Sequence, residues 1–332
     1  MTRALAAAAL VRCITAPNPW VGAVIRTEAG ELFEGATQEP GGAHAEIAAL
    51  AVAGPAAVGS TMYVTLEPCN HTGRTGPCVE AIIASGVSRV VVGIEDPDRA
   101  VCGSGIARLK QAGVAVHLGV QAEKVTAQLA PYLKHRRTGR PWVVLKLAST
   151  SDGGTAAPNG TSQWITGPAA RVDGHRLRAE SNAIMVGAGT IRRDDPSLNV
   201  RDYVPPVAPI ITALDPLRIV LGKAGATAKV QPCREMSGDL GVILDQLGSE
   251  GILQLLVEGG AGVAGEFHRA GLVDRYVIYL APAFFGGEDS NGLFEGAGAW
   301  DIANVWRGRF VAVERVGEDL RIELAPQEAA QS

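Results

Sequence analysis

The sequence contains few cysteines, few aromatic residues and no long apolar run. Five cysteines, at positions 13, 69, 78, 102 and 233, form an odd and sparse set in 332 residues, which argues against a disulfide framework. No stretch reaches the roughly 18 to 20 consecutive apolar residues that a membrane span requires. We therefore expect no membrane partner and a reducing, cytoplasmic location.

An excess of basic charge is also absent. The chain carries 30 Lys and Arg against 34 Asp and Glu, for a formal net charge of -4, and aromatic residues make up only 5%. Because a single-strand-binding surface interleaves basic and aromatic side chains, we expect no nucleic-acid partner. Hydrophobic residues make up 47% and charged residues 19%, a balance typical of chains that fold around a core.

The length predicts two domains, at about 150 residues per domain. A polar and basic segment, residues 134–141, is followed directly by the apolar run 142–145. We place the boundary there, so that the predicted domains cover residues 1–140 and 141–332. The basic cluster itself has two interpretations, a solvated linker or a phosphate-binding patch.

Both halves alternate β-branched strands with helical segments that end at glycine. Strands are predicted over 21–25, 61–66, 89–94, 114–116, 142–145, 183–186, 217–221, 254–257 and 273–280, and helices over 4–10, 79–85 and 105–112. Because strands that alternate with helices pair in parallel, we expect α/β domains whose sheets are covered by helices. Residues 203–209 and 327–332 are predicted to be a loop and a frayed terminus.

The strongest motif is the tripeptide His44-Ala45-Glu46, followed by Cys69 and Cys78. One imidazole and two thiolates leave the fourth position of a tetrahedral Zn²⁺ open for water, which is typical of catalytic zinc. Glu46 lies beside His44 without sharing its helical face, so it can exchange protons with that water without being a ligand. The alternative is a closed structural zinc site with His71 as the fourth ligand.

This His-x-Glu and Pro-Cys…Cys arrangement resembles the zinc-binding motif of the zinc-dependent cytidine-deaminase superfamily. Its surroundings resemble the deaminase half of the bifunctional riboflavin-biosynthesis deaminase/reductase family, through residues 16–25, 43–46 and 67–78. The long Cys-to-Cys spacer, with its internal His, Gly, Arg and Thr, is more specific than the short Cys-x-x-Cys of other deaminases. The resemblance implies a three-layer α/β/α domain in which Asn18, His71 and Arg74 bind the pyrimidine and its ribose phosphate.

A glycine-rich run, residues 258–265, follows a predicted strand in the second half and opens a helix. Its backbone N–H groups could bind a pyrophosphate, although a tight turn with close helix packing would need the same residues. Arg178 and Arg201 could pair with a substrate phosphate or could be solvated surface charges.

The second half resembles the reductase half of the same family, through residues 146–153, 162–166, 186–190, 194–201 and 258–260. The resemblance implies an α/β domain like dihydrofolate reductase. It implies an NADPH site formed by Ala148, Trp164, Thr190, Asp194, Gly260, Ala261, Gly262, Val263, Ala264, Gly265 and Glu266. It implies a substrate site formed by Lys146, Ser162, Arg178, Leu198, Arg201 and Glu258. Either Lys146 or Glu258 could assist the reduction by supplying a proton.

The family resemblance predicts two successive reactions and a homo-oligomer. Zinc and Glu46 would deaminate 2,5-diamino-6-(5-phosphoribosylamino)pyrimidin-4(3H)-one, and NADPH would then reduce the ribosyl side chain to give 5-amino-6-(5-phosphoribitylamino)uracil. One departure is Gly154, which stands where the family usually has a basic residue. That departure motivates an alternative, in which the chain is a deaminase only and its second half is a binding or docking module.

Overall fold

The chain folds into two units, each built around its own sheet. In the computed structural model, residues 1–71, 76–99, 101–211 and 213–327 are described. The first unit comprises Met1–Gly139 with Val204–Leu214, and the second comprises Arg140–Tyr203 with Asp215–Ser332. Within the described residues, no helix has the length and hydropathy needed to cross a bilayer.

The first unit contains a five-stranded sheet in the order β2-β1-β3-β4-β5. Its strands are β1 (Gly22–Arg26), β2 (Leu32–Ala36), β3 (Thr61–Leu66), β4 (Arg89–Ile94) and β5 (Ala115–Leu118). The predicted parallel pairing is confirmed for β3, β4 and β5. It does not extend to β1, which is antiparallel to both β2 and β3, because a turn at Gly30 reverses the chain directly after β1.

Helices pack on both faces of this sheet. They are α1 (Thr2–Leu10), α2 (Ala45–Ala53), α3 (Cys78–Ala84), α4 (Ser104–Gln111), α5 (Ala122–Gln128) and α6 (Ala130–Thr138). A Cβ at Gly22 would lie 1.9 Å from the carbonyl oxygen of Ala4, and a Cβ at Gly35 would lie 2.3 Å from the amide nitrogen of Ala49. Since Gly22 and Gly35 occupy alternating positions of paired strands, α1 and α2 cover opposite faces. The predicted three-layer arrangement is confirmed.

The segment predicted as a linker is partly helical. Residues 134–138 form the last turn of α6, which ends at Gly139 in the left-handed conformation (φ 73°). The linker prediction is therefore wrong for these residues. The side chains of Tyr132 and Leu133 are buried, and their packing stabilises a helix that continues through residue 138. Residues 203–209 have no regular structure, as predicted, and residues 328–332 lie outside the described part of the chain.

The second unit contains an eight-stranded sheet in the order β12-β13-β11-β6-β10-β7-β8-β9. Its strands are β6 (Trp142–Thr150), β7 (Ala183–Gly187), β8 (Leu217–Leu221), β9 (Arg234–Met236), β10 (Gln254–Val257), β11 (Arg275–Ala281), β12 (Gly308–Val316) and β13 (Asp319–Pro326), and its helices are α7 (Pro168–Ala179), α8 (Ala188–Asp194), α9 (Leu240–Ser249) and α10 (Ala261–Arg269). Strands β6 to β11 pair in parallel, whereas β13 is antiparallel to β11 and β12.

Apolar side chains fill both faces of this sheet. Leu145, Met185 and Leu255 belong to one buried cluster, and their chain neighbours Val144, Ile184 and Leu256 belong to another. Because successive residues of a strand point to opposite faces, both faces of the central strands β6, β7 and β10 are buried. These continuous apolar runs are why the strands could be predicted from the sequence, and the predicted α/β class is confirmed.

Candidate functional site

Three predicted metal ligands meet in the first unit. His44 directly precedes α2, Cys69 follows β3, and Cys78 begins α3. The Nδ1 atom of His44 lies 3.7 Å from Sγ of Cys69 and 3.3 Å from Sγ of Cys78. The ligand atoms of the three residues all lie within 4.8 Å of one another. Tetrahedral bonds of about 2.0 to 2.3 Å to N and S ligands separate the ligand atoms by about 3.5 Å, so this donor set fits Zn²⁺.

The three side chains also perturb one another electrostatically. Hydrogen bonds from Cys78 and His44 lower the pKa of Cys69, although its burial acts in the opposite direction. The Cys69 sulfur and burial raise the pKa of Cys78, and the hydrogen bond with Cys69 raises the pKa of His44. The cluster therefore favours a thiolate at Cys69, and a thiolate is the form of cysteine that binds a metal.

Glu46 lies in the first turn of α2 and is buried beside these ligands. Burial raises the pKa of Glu46 to about 7. Together with His44 and Cys69 it lines a cavity of about 440 Å³. His71, the fourth ligand of the alternative interpretation, also lines this cavity but does not belong to the three-residue cluster of possible ligands among the described residues.

Further polar side chains on the cavity wall were not predicted from the sequence. Tyr132 donates a hydrogen bond shared by the two carboxylate oxygens of Asp96, at 3.2 and 3.1 Å. Arg136 pairs with Asp98 at 3.2 Å and stacks over the Tyr132 ring. The position of Asp96 and Asp98 after β4 could have indicated them, since β4 is parallel to β3 and both strands end at one edge. No local signal could have indicated Tyr132 and Arg136, because α6 reaches the cavity only through packing.

Two of the predicted substrate residues of the first unit are described. Asn18 and His71 both line the cavity that contains Glu46. Arg74 lies outside the described residues.

A second cavity, of about 900 Å³, lies in the second unit. Two strand-to-helix turns line it, residues 187–190 where β7 passes into α8 and residues 259–263 where β10 passes into α10. They share one edge because β7 and β10 are parallel neighbours. The N–H of Gly260 donates to Oγ1 of Thr190 at 3.3 Å. A Cβ at Gly187 would lie 2.8 Å from the Val263 side chain, so the turns approach too closely for a side chain there. Such bare turns fit the phosphates of a dinucleotide.

Most of the predicted cofactor residues line this cavity. They are Ala148, Thr190, Asp194, Gly260, Ala261, Gly262, Val263 and Glu266. Ala264 and Gly265 are buried within α10, where a Cβ at Gly265 would lie 2.3 Å from the carbonyl oxygen of Glu295. Trp164 is 64% exposed, and the guanidinium of Arg171 lies 4.8 Å from its ring. These three predicted residues are not among the described residues that line the cavity.

The predicted substrate residues divide in the same way. Lys146, Ser162 and Glu258 line the cavity, whereas Arg178, Leu198 and Arg201 are not among its described lining residues. Leu198 is 2% exposed and belongs to a buried apolar cluster. The guanidinium of Arg201 is exposed and donates to Oδ1 of Asn199 at 3.1 Å.

Arg178 is neither a solvated charge nor a free phosphate ligand. Its guanidinium donates to both carboxylate oxygens of Glu258, at 2.8 and 2.9 Å, and to the carbonyl oxygen of Asn199 at 3.1 Å. Burial raises the pKa of Glu258, but Arg178 and Lys146 lower it by more, to about 2. Nζ of Lys146 lies 4.0 Å from Oε2 of Glu258. Glu258 is therefore ionised at neutral pH.

Gly154, the departure from the family pattern, is closely packed. A Cβ at this position would lie 2.3 Å from the ring of Phe285 and 3.1 Å from Oγ of Ser290. A larger side chain at position 154 would therefore require Phe285 to move.

Comparisons with known proteins cover both units. Residues 141–322 match the family model "RibD C-terminal domain", and residues 1–94 match "Cytidine and deoxycytidylate deaminase zinc-binding region". The chain is 38% identical to Riboflavin biosynthesis protein RibD of Escherichia coli (strain K12), over 98% of each chain. It is 40% identical to the protein of the same name from Mycobacterium tuberculosis (strain ATCC 25618 / H37Rv), over 95% of this chain and 93% of that protein.

Solved structures are similar along the whole chain. Form 1 of Acinetobacter baumannii RibD has a TM-score of 0.91 and 35% identity, with 98% of each chain covered. A diaminohydroxyphosphoribosylaminopyrimidine deaminase/5-amino-6-(5-phosphoribosylamino)uracil reductase from Thermotoga maritima has a TM-score of 0.85 and 30% identity, with 98% of this chain and 97% of that chain covered.

Proposed function

This chain belongs to the RibD family of riboflavin biosynthesis proteins and is a bifunctional deaminase and reductase, and we propose how its residues divide the two reactions. Residues 1–140 deaminate 2,5-diamino-6-(5-phosphoribosylamino)pyrimidin-4(3H)-one. Residues 141–332 reduce the ribosyl side chain of the product to give 5-amino-6-(5-phosphoribitylamino)uracil. The observation that carries this proposal is the cluster of His44, Cys69 and Cys78, with Glu46 beside it on the wall of a cavity.

In the deaminase reaction, His44, Cys69 and Cys78 hold zinc and Glu46 moves protons. Zinc, when bound, polarises a water for attack on the amine-bearing ring carbon. Because burial raises the pKa of Glu46 to about 7, this carboxyl group can both accept and donate a proton near neutral pH. Asn18, His71 and Arg74 orient the pyrimidine and its ribose phosphate.

In the reductase reaction, Lys146 supplies the proton, and Glu258 positions the Lys146 side chain. Glu258 is ionised, since its pKa is about 2, and it therefore has no proton to donate. Lys146 lines the cavity, and its Nζ lies 4.0 Å from that carboxylate. NADPH, when bound, supplies the hydride. The N–H groups at the start of α10, together with Thr190, bind its phosphates.

The remaining predicted contacts are assigned to the substrate or to the folded frame around it. Ser162 binds the substrate from the cavity wall, and Arg201, which is exposed, binds its phosphate. Arg178 and Leu198 contribute indirectly, since Arg178 binds the carboxylate of Glu258 and Leu198 packs in a buried apolar cluster. We expect a homo-oligomer in the cytoplasm, where the five cysteines, all free in this structure, would stay reduced.

The test of the deaminase assignment is the variant Glu46→Gln. With zinc content equal to that of the wild type, its rate of ammonia release should fall by about 10²- to 10⁴-fold, because an amide cannot exchange the proton. Glu123→Gln, at an exposed position of α5, is the matched control and should release ammonia at the wild-type rate. A zinc-loaded Glu46→Gln protein with wild-type turnover would refute the assignment.

The test of the reductase assignment is the variant Lys146→Met. It should bind NADPH but oxidise it far more slowly with the deaminated substrate, whereas Lys223→Met, at an exposed side chain, should behave as wild type. A Lys146→Met protein that oxidised NADPH at the wild-type rate would refute the assignment of the proton to Lys146.

A further inference from the structure

A buried carboxylate joins the metal-binding turn to the wall of the deaminase cavity. Glu67 is 4% exposed and lies between β3 and Cys69. Its Oε1 accepts hydrogen bonds from the N–H groups of Gly105 and Ile106, at 2.9 and 3.1 Å. Its Oε2 accepts from the N–H groups of Gly103 and Asp96, at 2.9 and 3.2 Å. Four backbone donors thus converge on one side chain.

The backbone of α4 explains why the carboxylate is needed there. This helix begins at Ser104, and its N-cap residue, Gly103, has no side chain that could accept hydrogen bonds from the first N–H groups. A Cβ at Gly105 would lie 2.0 Å from the carbonyl oxygen of Pro68, so the start of α4 packs directly on the turn that carries Glu67. Hydrogen bonds to an ionised acceptor are about twice as strong as neutral ones.

One of the four donors, Asp96, belongs to the wall of the cavity. Asp96, whose N–H binds Glu67, lines the cavity and accepts the hydroxyl of Tyr132. Val101, two residues before Gly103, also lines it. Cys69, a metal ligand of the proposed site, follows Glu67 by two residues and lines the cavity as well. One side chain therefore connects both parts of the wall.

We propose that Glu67 is a positioning residue of the deamination reaction. It fixes the backbone of Asp96 and of Gly103 relative to Cys69, and so sets the width of the cavity in which the substrate ring is held. Glu67 itself lines the cavity, but its two oxygens are occupied by the four N–H groups, so it acts on the substrate by positioning the wall. This inference rests on the proposed deaminase function of the first unit.

The test is the variant Glu67→Gln, which keeps the shape of the side chain but turns one acceptor into an NH₂ group. That group would face two of the four N–H donors, so the backbone of Asp96 or the start of α4 should shift. Because a misplacement of about 1 Å can cost about 10²-fold, we expect KM for the pyrimidine substrate to rise by at least about tenfold, with a smaller change in kcat. Zinc content and NADPH oxidation by the second unit should equal those of the wild type.

The matched control is Glu80→Gln. The exposed carboxylate of Glu80, on α3, pairs with Arg108 of α4 at 2.7 and 3.0 Å, so this change removes an ion pair to the same helix without touching its first turn. Its KM should equal that of the wild type. Glu67→Asp keeps the charge on a shorter side chain, so its KM should also rise, but by a smaller factor. If Glu67→Gln fails to fold, Glu67→Asp is the variant that tests the proposal.

Two results would overturn this inference and leave the proposed function in place. One is a KM equal to that of an active wild type in every Glu67 variant that folds. The other is a loss of zinc from the variants that by itself explains their loss of activity. A wild-type chain that released no ammonia from this substrate would instead overturn the proposed function, and the inference with it.

Discussion

Replacing Arg178 with methionine removes the main partner of a buried carboxylate. The guanidinium of Arg178 and the carboxylate of Glu258 form two parallel hydrogen bonds, at 2.8 and 2.9 Å, and their side chains are only 14% and 10% exposed. Methionine fills a similar volume without charge. The variant would therefore leave Glu258 buried, with Lys146 at 4.0 Å as its remaining cation.

The magnitude follows from the pKa of Glu258. Burial alone would raise it, yet Arg178 and Lys146 lower it from 4.5 to about 2. At about 1.36 kcal/mol per pKa unit, this difference favours the ionised form in the folded state by about 3 kcal/mol. Breaking a buried ion pair by removing one partner typically costs about 3 to 5 kcal/mol. We expect Arg178→Met to lower the free energy of unfolding of the second unit by about 3 kcal/mol.

Urea unfolding at pH 7, followed by circular dichroism, would measure this change. Arg140→Met is the matched control, because Arg140 also binds a carboxylate through two hydrogen bonds, to Asp245, but does so at the surface. Exposed ion pairs are screened by solvent, so its unfolding midpoint should stay close to that of the wild type. The double variant Arg178→Met with Glu258→Met should regain most of the lost stability, since the buried carboxylate is removed and the remaining cation, Lys146, is 23% exposed.

The pH dependence has a defined sign. Because the pKa of Glu258 in the folded chain lies below its ordinary value of 4.5, its stabilising contribution is complete above about pH 4.5 and is lost as the pH falls toward 2. The double variant should therefore lose less stability than the wild type over that range. An Arg178→Met protein with wild-type stability, or one that the second substitution does not rescue, would refute this account of the pair.

Three further predictions concern the metal cluster and the nucleotide cavity. Cys69→Ser should bind less zinc than the wild type by metal analysis, whereas Cys102→Ser, at an exposed cysteine, should bind the wild-type amount. Removal of zinc with a chelator should abolish ammonia release and leave NADPH oxidation intact. Gly265→Ala should cost about 1 to 3 kcal/mol in thermal unfolding, because its Cβ would meet the carbonyl oxygen of Glu295, whereas Gly260→Ala should fold normally and weaken NADPH binding in a fluorescence titration.

Local sequence signals were sufficient for the central strands and for the metal cluster. The apolar runs of β4 and β10 predicted buried strands because both faces of these strands pack against helices. The cluster of His44, Cys69 and Cys78 was predicted because zinc chemistry restricts the donors to a few residue types. The final hairpin, β12 and β13, was missed because β12 is largely exposed, β13 is mostly only partly buried, and their pairing contains a register shift between Phe310 and Ala312, so no clean alternation marks either strand.

What the sequence by itself determined about this protein is the alternation of strands and helices, the cluster of candidate zinc ligands and the glycine-rich turn. Each of these depends on neighbouring residues or on scarce residue types. Only the tertiary structure decided which charges are paired. Arg178 and Glu258 are 80 positions apart, and Glu67 binds backbone groups about 30 to 40 positions away. Where packing excludes water, each buried polar group has to bind another part of the chain. No local sequence pattern identifies that distant partner.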